Sequence, residues 1–254
     1  MRYNKATTID PAEKARFEKH AKVWWNTEGP FWPLHRMNQL RTELIVNEVL
    51  KAFSERTPER IHPLSGLKVL DIGCGGGILS EAMARLGAEV TGIDIVEKNV
   101  GIASTHAEEQ GLGIHYRCMA VEDLVKEGSR FDLVLNMEVV EHVQKLPLFL
   151  QCASELVRPG GLMVVATLNR TVLSYLMAII GAEYVLKWLP KGTHQWRKFV
   201  KPEEVSAQLG PWGLERTGVR GIWLNPFKKT FRTIPWTWVN YISYFQKEDG
   251  VPGQ

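Results

Sequence analysis

"LDIGCGGGIL", Leu70 to Leu79, carries an apolar run into four closely spaced glycines and out again into a helix-forming segment. Glycine lets a chain turn sharply and bring backbone N–H groups close to a ligand. A strand that stops at such a loop and hands over to a helix is the opening unit of an α/β fold, with its ligand at the strand's carboxyl end. The loop spacing separates two ligand classes. A dinucleotide loop, read as G-x-G-x-x-G from Gly73, needs glycine or alanine at position 78, where Ile78 stands. The spacing present is instead D-x-G-x-G-x-G, over Asp71, Gly73, Gly75 and Gly77.

That spacing resembles the first motif of class I methyltransferases, which bind S-adenosylmethionine. Asp94, at the end of "AEVTGID", stands where α/β nucleotide folds place an acid to accept from ribose hydroxyls. It also precedes a helical segment and could serve only as its cap. Loop and acid support each other, which favours the ribose role. Adenine contacts are expected from "CMAVEDL", where Ala120 occupies a position that is aspartate in many relatives, so no single residue stands out.

Outward from the loop, strand and helix signals alternate. "LKVLDI", "AEVTGID", "GIHYRCM", "FDLVLN", "GLMVVATLN", "LERTGVRGIWL" and "WTWVNYISYF" read as strands, with helices between the early ones. The pattern predicts a doubly wound, mostly parallel sheet of seven strands covered on both faces. "RPGG", Arg158 to Gly161, marks a turn before the fifth strand. Ahead of the sheet, "DPAEKARFEKHAKVWW" predicts a helix capped by Asp10, and "QLRTELIVNEVLKAF" a second. The expected organisation is one domain over 1–254. Residues 1–60 form a helical extension, 66–169 the cofactor-binding core, 170–200 an apolar insertion, and 201–246 a closing helix and strands.

Composition narrows the function. Of the 254 residues 44% are hydrophobic and 23% charged, as in ordinary globular proteins. A net charge of +3 argues against nucleic acid as the main partner. Cys74, Cys118 and Cys152 show neither disulfide nor metal spacing, which fits a reducing compartment. The N-terminus lacks the apolar core of a secretory signal, which leaves room for a trimmed organellar transit peptide.

"MEVVEHV", Met137 to Val143, follows the fourth strand. Read as a helix, Glu138, Glu141 and His142 are i, i+3 and i+4, on one face. Two carboxylates and an imidazole suit a divalent cation, Mg²⁺ first, with Mn²⁺ or Zn²⁺ as alternatives. The residues also fit a loop-orienting role without metal, or His142 acting as general base.

"WWNTEGPFWPLHRMNQLR", "DIGCGGGILSE", "MEVVEHV" and "GAEYVLKWLPKGTHQWRKF" together resemble the ubiquinone-biosynthesis O-methyltransferase family, from about Phe17 to about Tyr244. The resemblance implies a Rossmann-like fold and methylation of a catechol-type hydroxyl on polyprenylated precursors. Those precursors are a polyprenyl dihydroxybenzoate and 3-demethylubiquinol. It implies adenosylmethionine contacts at Arg41, Gly73, Asp94 and Met137, with Gly75 in the same loop. It also implies metal ligands at Glu138, Glu141 and His142, which double as the catalytic set. A guanidinium fork at Arg41 matches the cofactor's carboxylate. Location follows from the same likeness: the matrix face of the mitochondrial inner membrane for a eukaryotic source, otherwise the bacterial cytoplasm with membrane association. A ubiquinone-biosynthesis protein complex would be a further partner.

The insertion "TVLSYLMAIIGAEYVLKWLPKG" is too short to cross a bilayer, which takes about 20 apolar residues. Leu173, Leu176, Met177, Ile180 and Tyr184 share one helical face, and Val172, Tyr175 and Ile179 the opposite one. Such a helix is either core or a lid that covers a prenyl tail and dips into the membrane surface, and the water-insoluble substrate that the resemblance implies favours the lid. Two other functions compete: a metal-independent methyltransferase of a small soluble phenol, and a catalytically silent membrane or assembly module.

Overall fold

The computed structural model describes residues 7–53, 61–177 and 195–250. Eight strands form one sheet in the order β3-β2-β1-β4-β5-β8-β6-β7. The strands are β1 (Lys68–Ile72), β2 (Glu89–Asp94), β3 (His115–Cys118), β4 (Phe131–Met137), β5 (Val157–Leu168), β6 (Leu214–Asn225), β7 (Thr230–Ile234) and β8 (Asn240–Lys247). The first five run parallel, while β8, β6 and β7 add antiparallel pairs. β1 and β4 carry near-continuous buried residues because helices cover both faces of the sheet.

The helices are α1 (Pro11–His20), α2 (Trp32–Ala52), α3 (Ile78–Arg85), α4 (Glu97–Glu109), α5 (Val121–Lys126), α6 (Leu146–Leu156), the single turn α7 (Val172–Ser174) and α8 (Pro202–Leu209). One apolar cluster packs α5, α6 and α8 on the sheet through Leu124, Leu150 and Val205. The other packs α2 and α3 through Ile45, Val49 and Met83. The strand order reverses between β1 and β4: from β1 the sheet grows toward β2 and β3, from β4 toward β5. The carboxyl ends of β1 and β4 therefore flank a crevice, the place where open α/β sheets bind ligands.

Four local expectations change. The sheet has an eighth strand, β7, which the sequence does not announce because this edge strand is largely exposed and lacks an alternating apolar pattern. It is reached through a hairpin whose Lys229 takes a positive φ of 49°, with no glycine to mark it. The last strand begins at Asn240, not Trp236. α2 starts at Trp32, well ahead of the expected Gln39, because Pro33 suits a helix's first turn. "RPGG" is no simple turn. Phe131 pairs with Val157 but Leu133 with Leu162, so these residues bulge out of β5.

Of the apolar insertion, residues 178–194 lie outside the described residues, and with them Ile179, Ile180 and Tyr184. No helix among the described residues is long and apolar enough to cross a membrane.

Candidate active site

The crevice opens into a cavity of about 820 Å³ that runs from the glycine loop past the carboxyl end of β4 to an apolar wall on β6 and β7. Gly73, Gly75 and Gly77 all take positive φ, 72°, 54° and 88°, the conformation side chains resist. The amide of Gly75 donates to Asp94 Oδ2 at 3.0 Å, so loop and acid are locked together. Asp94 Oδ1 accepts from the Val96 amide at 2.7 Å and from Asn99 Nδ2 at 3.4 Å. Burial raises the Asp94 carboxyl above its ordinary range, against the pull of these donors.

Asp71 is also buried and accepts from Ser80 Oγ at 2.6 Å. Burial, with repulsion from Asp94, pushes its carboxyl up to about 6. Two buried acids beside the loop create a negative field that suits a ligand carrying a sulfonium and an ammonium. Ile95, Met119 and Val121 continue the cavity beyond Asp94 as apolar surface of the kind an adenine fills. Met119 and Val121 come from the segment in which the sequence singled out nothing. The nearby acid Glu122 is held by the Thr8 amide and hydroxyl at 3.0 and 2.8 Å.

Arg41 is buried in α2, and its guanidinium donates to Glu138 Oε1. Its Nε is buried with no hydrogen-bond acceptor among the described residues. A buried donor without a partner costs about 1–3 kcal/mol, so this atom suits a ligand that brings a hydrogen-bond acceptor. Arg41 thus joins the cofactor end of the cavity to the turn after β4. Met137, the last residue of β4, lines the same space.

"MEVVEHV" is not a helix. Glu138 takes a positive φ of 57° and the segment folds as a turn, so the expected i, i+3, i+4 face does not form. Side chains resist that backbone region, and it breaks a helix at its first residue. The turn is packed against the glycine loop: a Cβ on Gly73 would lie 2.6 Å from Val139 Cγ2. Glu141 is fully enclosed and accepts from Thr167 Oγ1 at 2.7 Å. Burial, then repulsion by the Glu138 carboxylate, drives the Glu141 carboxyl well above its usual range. His142 turns to α1 instead. Its Nδ1 lies 3.1 Å from Glu13 Oε2 and 3.2 Å from an Arg16 nitrogen, and Phe17 meets its ring edge-on at 5.1 Å. Burial would raise Glu13, but His142, Arg16 and Lys198 outweigh it and hold that carboxyl below its usual range.

Buried Glu141 and part-exposed Glu138 are oxygen donors of the kind a hard divalent cation takes, although Arg41 already answers the charge of Glu138. His142, with Nδ1 held by α1, does not complete a triad with them. Among the described residues, no three His, Cys, Asp or Glu side chains converge on one point. Sequence reasoning also missed Trp24 and Asn99, which line the cavity beside Asp94. Trp24 reads in sequence as a core aromatic, and Asn99, after Glu97 and Lys98, as an ordinary polar helix position.

A doubly wound sheet, this glycine loop, an acid ending β2 and a cavity at the switch point together define a class I methyltransferase. A family model described as a methyltransferase domain matches residues 36–217. The chain belongs to the ubiquinone biosynthesis O-methyltransferases, which are S-adenosylmethionine-dependent enzymes. It is 47% identical to the one from Cereibacter sphaeroides, across 93% of this chain and 96% of that protein. It is 49% identical to the one from Brucella anthropi, across 93% and 95%. Among solved structures, magnesium protoporphyrin IX methyltransferase from Synechocystis PCC 6803 shares the fold at a TM-score of 0.62 and 18% identity, over 96% of this chain and 100% of that one.

Proposed function

We propose that this enzyme methylates a catechol-type hydroxyl of polyprenylated ubiquinone precursors, a polyprenyl dihydroxybenzoate and 3-demethylubiquinol. The observation that carries this is the continuity of the cavity. One end offers the glycine loop, Asp94 and the unpaired Arg41 Nε; the middle offers Glu138 and Glu141; the far wall is apolar, with Leu176, Leu224 and Phe231. Adenosylmethionine fits the first end, its carboxylate at Arg41, its ribose at Asp94 and its methionyl part along Gly73, Gly75 and Met137. A catechol ring fits the middle, where a raised Glu141 carboxyl can exchange a proton with a phenolic oxygen. A prenyl tail fits the apolar wall.

The residues that would hold a divalent cation, Mg²⁺ first, are Glu138 and Glu141, which His142 would join only on leaving its Nδ1 contact with Glu13. When bound, the cation would stabilise the catechol phenolate and fix its angle to the methyl group. Glu138 and Glu141 would supply the negative charge, while Glu13 would govern the access of His142. A metal-free alternative, in which His142 is the general base, rests on its hydrogen-bonded imidazole.

The rim of the cavity supports a membrane-surface location, on the matrix side of the mitochondrial inner membrane or the bacterial cytoplasmic side. Phe227, at the β6–β7 hairpin, is 96% exposed beside Lys228 and Lys229. Trp236 and Trp238 stack on each other at 4.9 Å and stay half exposed, and the Trp238 carbonyl accepts from Thr171, next to the exposed Val172. Aromatic side chains beside lysines suit an anionic lipid surface.

The test is a methylation assay with a short-tailed demethylated quinol, with and without chelator. Turnover that chelation abolishes and Mg²⁺ restores supports the metal-assisted reading. Full turnover of metal-stripped enzyme, with His142→Ala far more damaged than Glu138→Ala or Glu141→Ala, supports the general base. No turnover of any prenylated catechol would end the substrate assignment. Co-sedimentation with anionic liposomes, lost in Phe227→Ser with Trp236→Ser, checks the membrane surface.

A further inference from the structure

The N-terminal segment lies on the glycine loop, and Trp24 makes the contact. Gly76 is outside the D-x-G-x-G-x-G spacing, and its φ is not positive, so no backbone demand explains it. Trp24 does: a Cβ on Gly76 would meet Trp24 Cβ at 2.4 Å, and one on Gly75 would meet the indole Cη2 at 2.5 Å. The next residue adds a second anchor, with Trp25 Nε1 donating to the Gly76 carbonyl at 2.9 Å and its ring stacked on His106 at 3.5 Å. Phe31 stacks flat on Trp24 at 3.9 Å, so the indole is fixed in the cavity wall.

From there a polar chain runs to the cofactor acid. Trp24 Nε1 donates to Asn99 Oδ1 at 2.9 Å, and Asn99 Nδ2 faces Asp94 Oδ1 at 3.4 Å. Trp24 and Asn99 are both buried. An indole N–H can only donate, so it draws the carbonyl of Asn99 to itself and leaves the amide hydrogens for Asp94. Without Trp24 the Asn99 amide would be free to flip and set its oxygen against the carboxylate.

We propose that Trp24 is a cofactor-positioning residue: docked on Gly76, its indole N–H orients Asn99 and, through it, holds Asp94 toward the ribose of adenosylmethionine. This rests on Asp94 as the ribose acceptor, and Gly76 is then a docking glycine for the N-terminal segment rather than a ligand contact.

Trp24→Phe tests it by keeping a ring over Gly76 while removing the N–H. Calorimetry of the full chain with S-adenosylhomocysteine should show Kd raised roughly fivefold, the worth of one ordinary hydrogen bond. The thermal midpoint without ligand should stay within about 4 °C. In methylation assays the KM for adenosylmethionine should rise by more than kcat falls. Asn99→Ala should weaken binding comparably, and Trp24→Phe added to it should do little more, because both break one chain. Unchanged Kd in Trp24→Phe overturns the proposal, as do additive effects or a loss of affinity that only follows a collapsed melting temperature. Should Trp24→Phe not fold, Asn99→Ala decides, with unchanged Kd overturning the proposal. Asp94→Ala separates the two layers: unchanged affinity there removes the ribose assignment itself, whereas weakened affinity there with unchanged Kd in Trp24→Phe removes only the role of Trp24.

Discussion

Asp71 shows how one buried acid is balanced between fold and ligand. Its carboxyl is raised from 3.8 to about 6 by burial. The folded chain therefore keeps this proton over a range of pH where the unfolded chain has lost it. Stability from this group falls as pH rises from about 3.8 to about 6 and is level above that, a loss on the order of 3 kcal/mol. Asp71→Asn can still accept from Ser80 but cannot ionise. Urea unfolding of the cofactor-free protein should show the mutant gaining on the wild type across that window. A gap that does not grow with pH would contradict the assignment. Asp94, under the same burial, is met by the Gly75 and Val96 amides and by Asn99, which oppose the upward shift.

At the scale of elements, α1 and the turn after β4 depend on each other. Asp10 caps α1 by accepting from the Ala12 and Glu13 amides, and it also pairs with Lys198 at 2.8 Å. The cap in turn sets Glu13 against His142. Asp10→Ala should loosen α1 by about 1 kcal/mol, roughly fivefold in its opening equilibrium, read as faster amide exchange at residues 12–16. Asp10→Asn should keep the cap while losing the Lys198 ion pair, and so exchange more slowly than Asp10→Ala. Equal exchange in wild type and both variants would show that α1 is held by Phe17 and Trp24 packing alone. The turn itself is set by packing against the glycine loop, where Val139 fills the space that Gly73 leaves.

For the whole molecule, the cavity is assembled from parts distant in sequence: α1, the glycine loop, the ends of β2 and β4, and the β6–β7 edge. A ligand held by so many elements should stabilise the folded state as a unit. S-adenosylhomocysteine at 100 times its Kd should add about 2.7 kcal/mol and raise the thermal midpoint by about 5–10 °C. A catalytically silent module that binds no such ligand would show no shift.

Period and spacing were enough to read the alternating strands and helices, the glycine loop and the Asp10 cap, because each depends on neighbours a few residues away. β7 and the Lys229 hairpin escaped notice, since an exposed edge strand needs no apolar alternation and Lys229 adopts positive φ where glycine would be the signal. The cluster Glu138, Glu141 and His142 was legible as chemistry but not as geometry. Local spacing offered a helix, and the fold imposed a turn that sends Glu138 to Arg41, encloses Glu141 beside Thr167 and hands His142 to Glu13. Those partners come from α2, β5 and α1, and Trp24 reaches Gly76 across a similar gap. Composition and periodicity carry local preference only. Which distant side chain fills a glycine's space, or answers a buried charge, is decided when close packing brings the elements together.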